Sequence, residues 1–559
     1  MRGPVKLFAA LCLPVACVPV AAQDAGRAIL KFVPDEAALV LFVPGLEELT
    51  GGVAAFGESA GIEQLADAEP ALLLQHALGH AEGVDLRGPL LVTLSSKRDA
   101  SPVLVCRLSD EAAWKQASAA VAPDAPDDLL RVTLQNTRFV AAIRDRTAVL
   151  SEDAAAVRAA MESRGWPAAD ALKPLLERRT QLVVFLDVPA WKEWLAETLD
   201  MVAGFVNAAM AMSGPAGGEA AARLWKAYLD LPREIAGQSG AVTGGLRFSA
   251  DGVHAELRAA FRPGSEIERY LRGARKVDRD VLRGLLDRPF AFALGMEWEA
   301  PDVSLSLVDR LLRATADAMS GPDTPREQVE ELMELTRSGL REQSGMCMTF
   351  APGAQQLFAG ATYTRSPQKV LALSRRMAER TPQLMNAFPG MRTTVTASDE
   401  QVGGREVLCV RQKFDIDDPQ LAEAMKRMYG EDLLAYYMAL EDSVAFVTAS
   451  KEQAQGLLLE LLERKAAPLA SSDRVRAALR SISPGAQGVC LADFGRLAEM
   501  VRSLAAATGA PLPIASQPVR PAPLLAGGFY IERDAVRFEL HLPSAAVRSI
   551  VEAFSGPMD

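Results

Sequence analysis

"LVVFLDVPAWKEWL", Leu182 to Leu195, rewrites a phrase met earlier as "LVLFVPGLEEL", Leu39 to Leu49. Each joins a short apolar run to a proline and then to an amphipathic stretch. Continuous runs such as "LVLFV" and "LVVFL" suit a strand covered on both faces. Pro44 and Pro189 fall at or near the first helical turn, where the missing N–H removes no intrahelical bond. In the second phrase Trp191, Trp194, Leu195, Leu199, Val202, Phe205, Val206 and Met210 line one stripe. Lys192, Glu193, Glu197, Asp200 and Asn207 lie opposite, so the spacing predicts a helix with one face in the core and one in water.

The phrase belongs to a longer repetition. The first half runs "GPLLVTLS", "PVLVCRLSDEAAWKQA", "RFVAAIRDRTAVLSEDAAAVRAAM", "QLVVFLDVPAWKEWL" and "GGLRFSADGVHAELRAAF". The second runs "SGMCMTFAP", "LFAGATYTRSPQKVLAL", "AYYMALEDSVAFVTASKEQAQGLLLEL", "QGVCLADFGRLAEMV" and "GGFYIERDAVRFELHLPSAAVRSIV". Ser151 and Ser450 each follow a hairpin and precede a helix with acidic residues near its start, the arrangement of an N-cap. Asp251–Gly252 and Arg533–Asp534 mark the turns of the two terminal hairpins. Short strands joined by tight turns pair antiparallel, and helices that enter after several strands cover one sheet face.

The expected fold is therefore α+β in two duplicated halves, each a mainly antiparallel sheet covered by helices. The boundaries read as a leader at 1–22, a first repeat at 23–265, a charged connector at 266–288 and a second repeat at 289–559. The halves differ in one place. The first carries a helical hairpin near 189–231, whereas the second has a Pro-rich loop near 510–524, "GAPLPIASQPVRPAP", able to be only loop or polyproline-like. The aromatic and Met-rich face of the hairpin reads either as core or as a surface for a partner or lipid.

"MRGPVKLFAALCLPVACVPVAAQD" has a basic start, an apolar middle and small residues ending at Ala22, the pattern of a secretory signal cleaved before Gln23. Two alternatives stand beside it: lipidation at Cys17, although Pro14 sits where that signal wants an aliphatic residue, and retention as a short anchor interrupted by Pro14 and Pro19. No later stretch reaches the ~20 unbroken apolar residues of a span. The chain has 559 residues and a net charge of −11; removal of Arg2 and Lys6 with the leader brings the charge to −13. So acidic a surface repels phosphate backbones and anionic headgroups, which argues against nucleic acid. The expected place is the periplasm or cell envelope.

Candidate chemistry is sparse. Cys106, Cys347, Cys409 and Cys490 each sit in a strand-like run with no C-x-x-C spacing, so they read as buried apolar side chains, with one disulfide left open. "GESAG", Gly57 to Gly61, matches a nucleophile elbow with Ser59 as nucleophile. That motif works only on a sharp strand-to-helix turn with an acid and a His downstream. Here "LEELTGGVAA" before it reads as helix, and the downstream histidines, His254 and His541, fall in alternating hairpin strands. His76 and His80 are four apart and would share a helix face, yet the Glu and third ligand of a zinc site are missing. Catalytic, cofactor-binding and metal residues are each read as none, and no cofactor is implied.

"FVPDEAALVLFVPGLEEL", "GVDLRGPLLVTL" and the "FSADGVHAEL" hairpin resemble an uncharacterised family of secreted bacterial proteins, a domain of unknown function. The resemblance implies export and a duplicated α+β fold, and transfers no catalytic residue. The expected function is a non-enzymatic envelope or periplasmic binding or scaffold protein. A carrier of an apolar ligand such as a lipid, and a serine hydrolase acting through Ser59, are the alternatives.

Overall fold

The structure is a computed structural model. It describes residues 28–554 except 97–99, 122–128, 135–136, 212–227, 275–279, 299–308, 311, 314–325, 352–356, 386–390, 418, 420–421, 424–425, 427–429 and 509–521. The leader, Cys17 and most of the Pro-rich loop fall outside these residues. The chain divides into two compact units. One comprises Met1–Lys192, Ser239–Ala260 and Glu539–Val551; the other comprises Glu193–Gln238, Phe261–Phe538 and Glu552–Asp559.

In the first unit the strands are β1 (Ala37–Val43), β2 (Leu90–Ser95), β3 (Val103–Arg107), β4 (Leu130–Leu134), β5 (Thr137–Arg144), β6 (Thr147–Ser151), β7 (Leu182–Asp187) and β8 (Ser239–Ser249). They pair antiparallel in the order β4-β5-β6-β3-β2-β1-β7-β8. A turn at Ala250–Asp251 leads to β9 (Gly252–Phe261). The β5–β6 turn, Asp145–Arg146, has φ of 52° and 57°, the doubly left-handed form that fits the twist of a two-residue hairpin.

The apolar run of β1 places it in the middle of this ladder, paired on both edges. Its side chains alternate between two cores. Val40 and Phe42 join Leu91, Val105, Val149 and Phe185 on one face, beneath the helices Ala154–Glu162 and Ala169–Glu177. Val43 joins Leu90, Cys106, Leu150 and Leu182 on the other, with Leu46 and Leu49 of the helix Leu46–Ala60 and the fully buried Trp114. Both faces of β1 thus pack against a core, as its continuous apolar run implied, whereas helices were expected to cover only one sheet face. The cause is that helices enter between the early strands as well as after them, so neither face is left to solvent.

The second unit contains β10 (Phe292–Glu297), β11 (Gln343–Ala351), β12 (Leu357–Thr364), β13 (Met391–Val402), β14 (Arg405–Ile416), β15 (Leu433–Ala439), β16 (Ser443–Thr448), β17 (Gly488–Ala492) and β18 (Leu525–Ile531). Their antiparallel order is β13-β14-β15-β16-β12-β11-β10-β17-β18. The last strand, β19 (Ala535–Pro543), leads into the closing helix Ser544–Phe554. One core lies beneath the helix Asp473–Leu479 and another beneath Lys451–Glu463.

Ser450 caps its helix as expected, its side chain accepting from Gln453 N. Ser151 does not: Asp153 takes the cap by accepting from Ala155 N, while Ser151 Oγ accepts from Asp153 N. The connector at 266–288 is more than a charged link. Its first part is the helix Glu266–Gly273, and its later residues Val281, Leu282 and Leu285 are buried in the second unit's core. Arg283, between them, makes two hydrogen bonds to the buried carboxylate of Glu297, at 2.8 and 2.9 Å.

Candidate functional site

The residues singled out for chemistry have structural explanations. Ser59 lies inside the helix Leu46–Ala60, not on a strand-to-helix turn. Gly57 and Gly61 have separate reasons to be glycine. A Cβ on Gly57 would come within 2.5 Å of Ala66 N, where the helix packs on the short helix Glu63–Ala66. Gly61 ends the helix in the left-handed region at φ 72°. "GESAG" is therefore a close-packed helix end.

The shared face expected of His76 and His80 is not formed. The helix Pro70–Leu78 stops at Gly79, φ 85°, so His80 lies beyond it; the His76 side chain falls outside the description. His80 Nε2 meets Ser118 Oγ at 2.9 Å, and burial lowers the His80 pKa against the opposing charge of Glu82. His254 and His541 fall on strands as expected, and the fold brings their rings together on β9 and β19. No group of three or more metal-ligating side chains occurs among the described residues. The four cysteines are free; Cys106, Cys347 and Cys409 are buried, but Cys490 is exposed. Burial raises the thiol of Cys106 to about 12 and that of Cys347 to about 11, which leaves both protonated and inert at neutral pH.

Two grooves are lined by charged groups. In the first unit a groove of about 1250 Å³ includes Asp35, Glu36, Arg144, Asp153, Glu162 and Arg164. In the second a groove of about 320 Å³ includes Arg288, Arg474, Asp493, Arg496 and Glu499. Arg474 Nη1 donates to Asp493 Oδ2 at 2.6 Å, and Asp493 also accepts from Arg496 N at the start of the following helix. In this second groove the carboxylates and guanidinium groups satisfy one another and hold the local chain in place.

The unusual feature is the helix Lys192–Ala211, where the sequence predicted a buried stripe. Not one of its residues whose side chains are described is buried. Trp194 is 55% exposed, Met201 69%, Val202 43% and Phe205 76%. At 3.6 residues per turn Trp194, Met201 and Phe205 lie within about 40° of one another, so they form one outward ridge. Leu195 and Leu199, on the adjoining face, are half-buried. The apolar arc is thus wider than the surface that covers it. Val206 and Met210, also placed in the stripe, lie outside the description.

The chain returns along residues 228–238, helical and again without a buried residue; Tyr228 is 48% exposed. Arg233 ties the two limbs, bonding Asp200 on the outgoing helix and Asp230 on its own at 2.6 Å. The second unit's helix Phe494–Thr508, which follows β17 as the hairpin follows β7, is different. Gly495 is buried, Leu497 and Met500 are half-buried and Val501 is 36% exposed, so its apolar side chains are less exposed than Met201 and Phe205. Leu504 is outside the description. Among the described residues no helix is long and apolar enough to cross a membrane.

The fold so defined is a mixed α+β protein built on antiparallel ladders. Comparison with protein-family models, with curated proteins and with solved structures returns no match.

Proposed function

We propose that this chain is an exported, non-enzymatic binding or scaffold protein of the cell envelope that docks through the hairpin begun by Lys192–Ala211. The observation that carries the reading is the outward ridge of Trp194, Met201 and Phe205. Large apolar side chains clustered on a surface are costly to hydrate and mark places where something else binds. Both grooves carry several charged side chains, a poorer home for an apolar cargo than the exposed ridge, which is why the surface reading stands ahead of the carrier. The hydrolase alternative is weakened by the helical setting of Ser59. The leader and the resemblance to secreted proteins support the envelope location.

The duplication is part of the same proposal. Matching β1 to β10, β2 to β11, β3 to β12, β6 to β16 and β7 to β17 makes the two pairing orders coincide, with β13 an added edge strand. An ancestral gene doubled and then given a hairpin in one copy accounts for both the likeness and the difference.

Oxidative footprinting tests the docking reading. Met201 oxidises readily in the isolated protein because its thioether is open to solvent, whereas the buried Met438 does not. Addition of an envelope fraction should protect Met201; equal oxidation with and without that fraction overturns the reading. Native mass spectrometry of the same preparation separates the alternatives, through a co-purifying lipid mass for a carrier or a fluorophosphonate adduct at Ser59 for a hydrolase.

A further inference from the structure

We infer that the occupant of the Trp194–Met201–Phe205 ridge is the interfacial layer of a lipid bilayer with zwitterionic headgroups; the inference rests on the docking reading above. Charge is the first argument. All the charged residues of the helix Lys192–Ala211 lie in its first half, at Lys192, Glu193, Glu197 and Asp200, and from Met201 the sequence carries none until Glu219. A protein interface surrounds its apolar centre with a polar rim and about one hydrogen bond per 100–200 Å². Between Met201 and Ala211 the only polar side chain is that of Asn207. A bilayer interface asks for no such rim: it accepts Trp, Phe and Met on one helix face at a depth of about 5–10 Å.

The sign of the surroundings selects the lipid. On the helix Glu193, Glu197 and Asp200 outnumber the one cation, Lys192; Arg233 of the return limb neutralises Asp200, and the whole chain carries −11. An anionic leaflet would repel this surface, so attraction must come from apolar contact alone. Among the described residues no helix is long and apolar enough to cross a membrane, so the ridge is placed along the interface rather than across the bilayer.

Flotation with phosphatidylcholine vesicles tests it, using the purified full chain with Phe205→Glu and Met201→Glu. Both positions are exposed, so neither substitution removes a core contact, and thermal melting confirms that each variant is folded. All three proteins share the same N-terminus, so any lipid affinity of residues 1–22 cancels. The unaltered chain should float, and each variant should lose about tenfold or more of its vesicle-bound fraction, the effect of placing a carboxylate among acyl chains. Replacing part of the lipid with phosphatidylglycerol should weaken binding. Equal flotation of the chain and both variants overturns the inference, as does binding only to anionic vesicles. Self-association abolished by Phe205→Glu, without flotation, also overturns it but leaves the docking reading intact. Absence of flotation together with unprotected Met201 defeats both.

Discussion

The imidazole of His541 stacks on that of His254 with ring centroids 4.2 Å apart and planes 24° from parallel. Neither ring nitrogen of His541 finds a hydrogen-bond partner among the described residues. Burial, then the neighbouring His541, then Arg247 push the His254 pKa down to about 4 against the pull of Asp251 and Glu539. Burial and Arg247 lower His541 too, with Asp251 opposing.

The sign of the pH effect follows. The fold holds both rings neutral, while in the unfolded chain they titrate near 6.5. Between those values the unfolded state binds more protons, so this contribution is complete above about pH 6.5 and lost as pH falls toward 4. His541→Phe keeps a ring in the stack and removes its charge. Its melting temperature should fall less steeply than that of the unaltered chain between pH 7 and 4.5. Parallel slopes would show that the pair does not carry the acid sensitivity.

Arg283 and Glu297 form a largely buried ion pair in the second unit. Glu297 has 2% of its side chain exposed, and the guanidinium lies 3.7 Å over the Tyr363 ring. Removing one partner of such a pair costs about 3–5 kcal/mol because the other charge is left buried. Arg283 is a quarter exposed and Asp442 stands 3.9 Å away. Glu297→Ala should therefore fall at the lower end, about 3 kcal/mol by denaturant unfolding, and Glu297→Gln, which can keep an acceptor, should lose less.

The "GESAG" segment predicts opposite results two residues apart. Ser59→Ala should change stability and any esterase turnover by no more than the ~0.5 kcal/mol usual for sites without a special contact. Gly57→Ala should destabilise by about 1–3 kcal/mol, since its methyl would press on the backbone at Leu65 and Ala66. An esterase activity that vanishes with Ser59→Ala would restore the nucleophile reading.

Leucines on two helices should part company. Leu458, fully buried on the helix Lys451–Glu463, should cost about 2–5 kcal/mol when cut to Ala. Leu199, half-buried on the hairpin, should cost under about 1.5 kcal/mol, because its surroundings are already partly solvent. Equal losses in chemical denaturation would mean that the hairpin is packed far more tightly than its exposure indicates.

Local chemistry was legible along the chain. Alternating and continuous apolar runs marked the strands, tight turns such as Asp251–Gly252 and Arg533–Asp534 implied antiparallel pairing, and Ser450 announced its helix. These signals are readable because each depends on residues a few positions apart, whose mutual geometry the backbone period dictates. The helix Lys192–Ala211 was legible by its 3.6-residue spacing.

Burial was not legible in the same way. Periodicity showed that Trp194, Leu199 and Phe205 belong to the apolar side of a helix, but whether that side is covered depends on a surface supplied by distant parts of the chain. Only the tertiary structure left Phe205 in solvent, carried Val281, Leu282 and Leu285 from a charged segment into a core, and set His254 against His541 and Arg283 against Glu297. The physical reason is common to all of them. Secondary structure is chosen by short-range sterics and hydrogen bonding, whereas desolvation is a property of pairs of surfaces, and no single stretch of sequence contains both members of the pair.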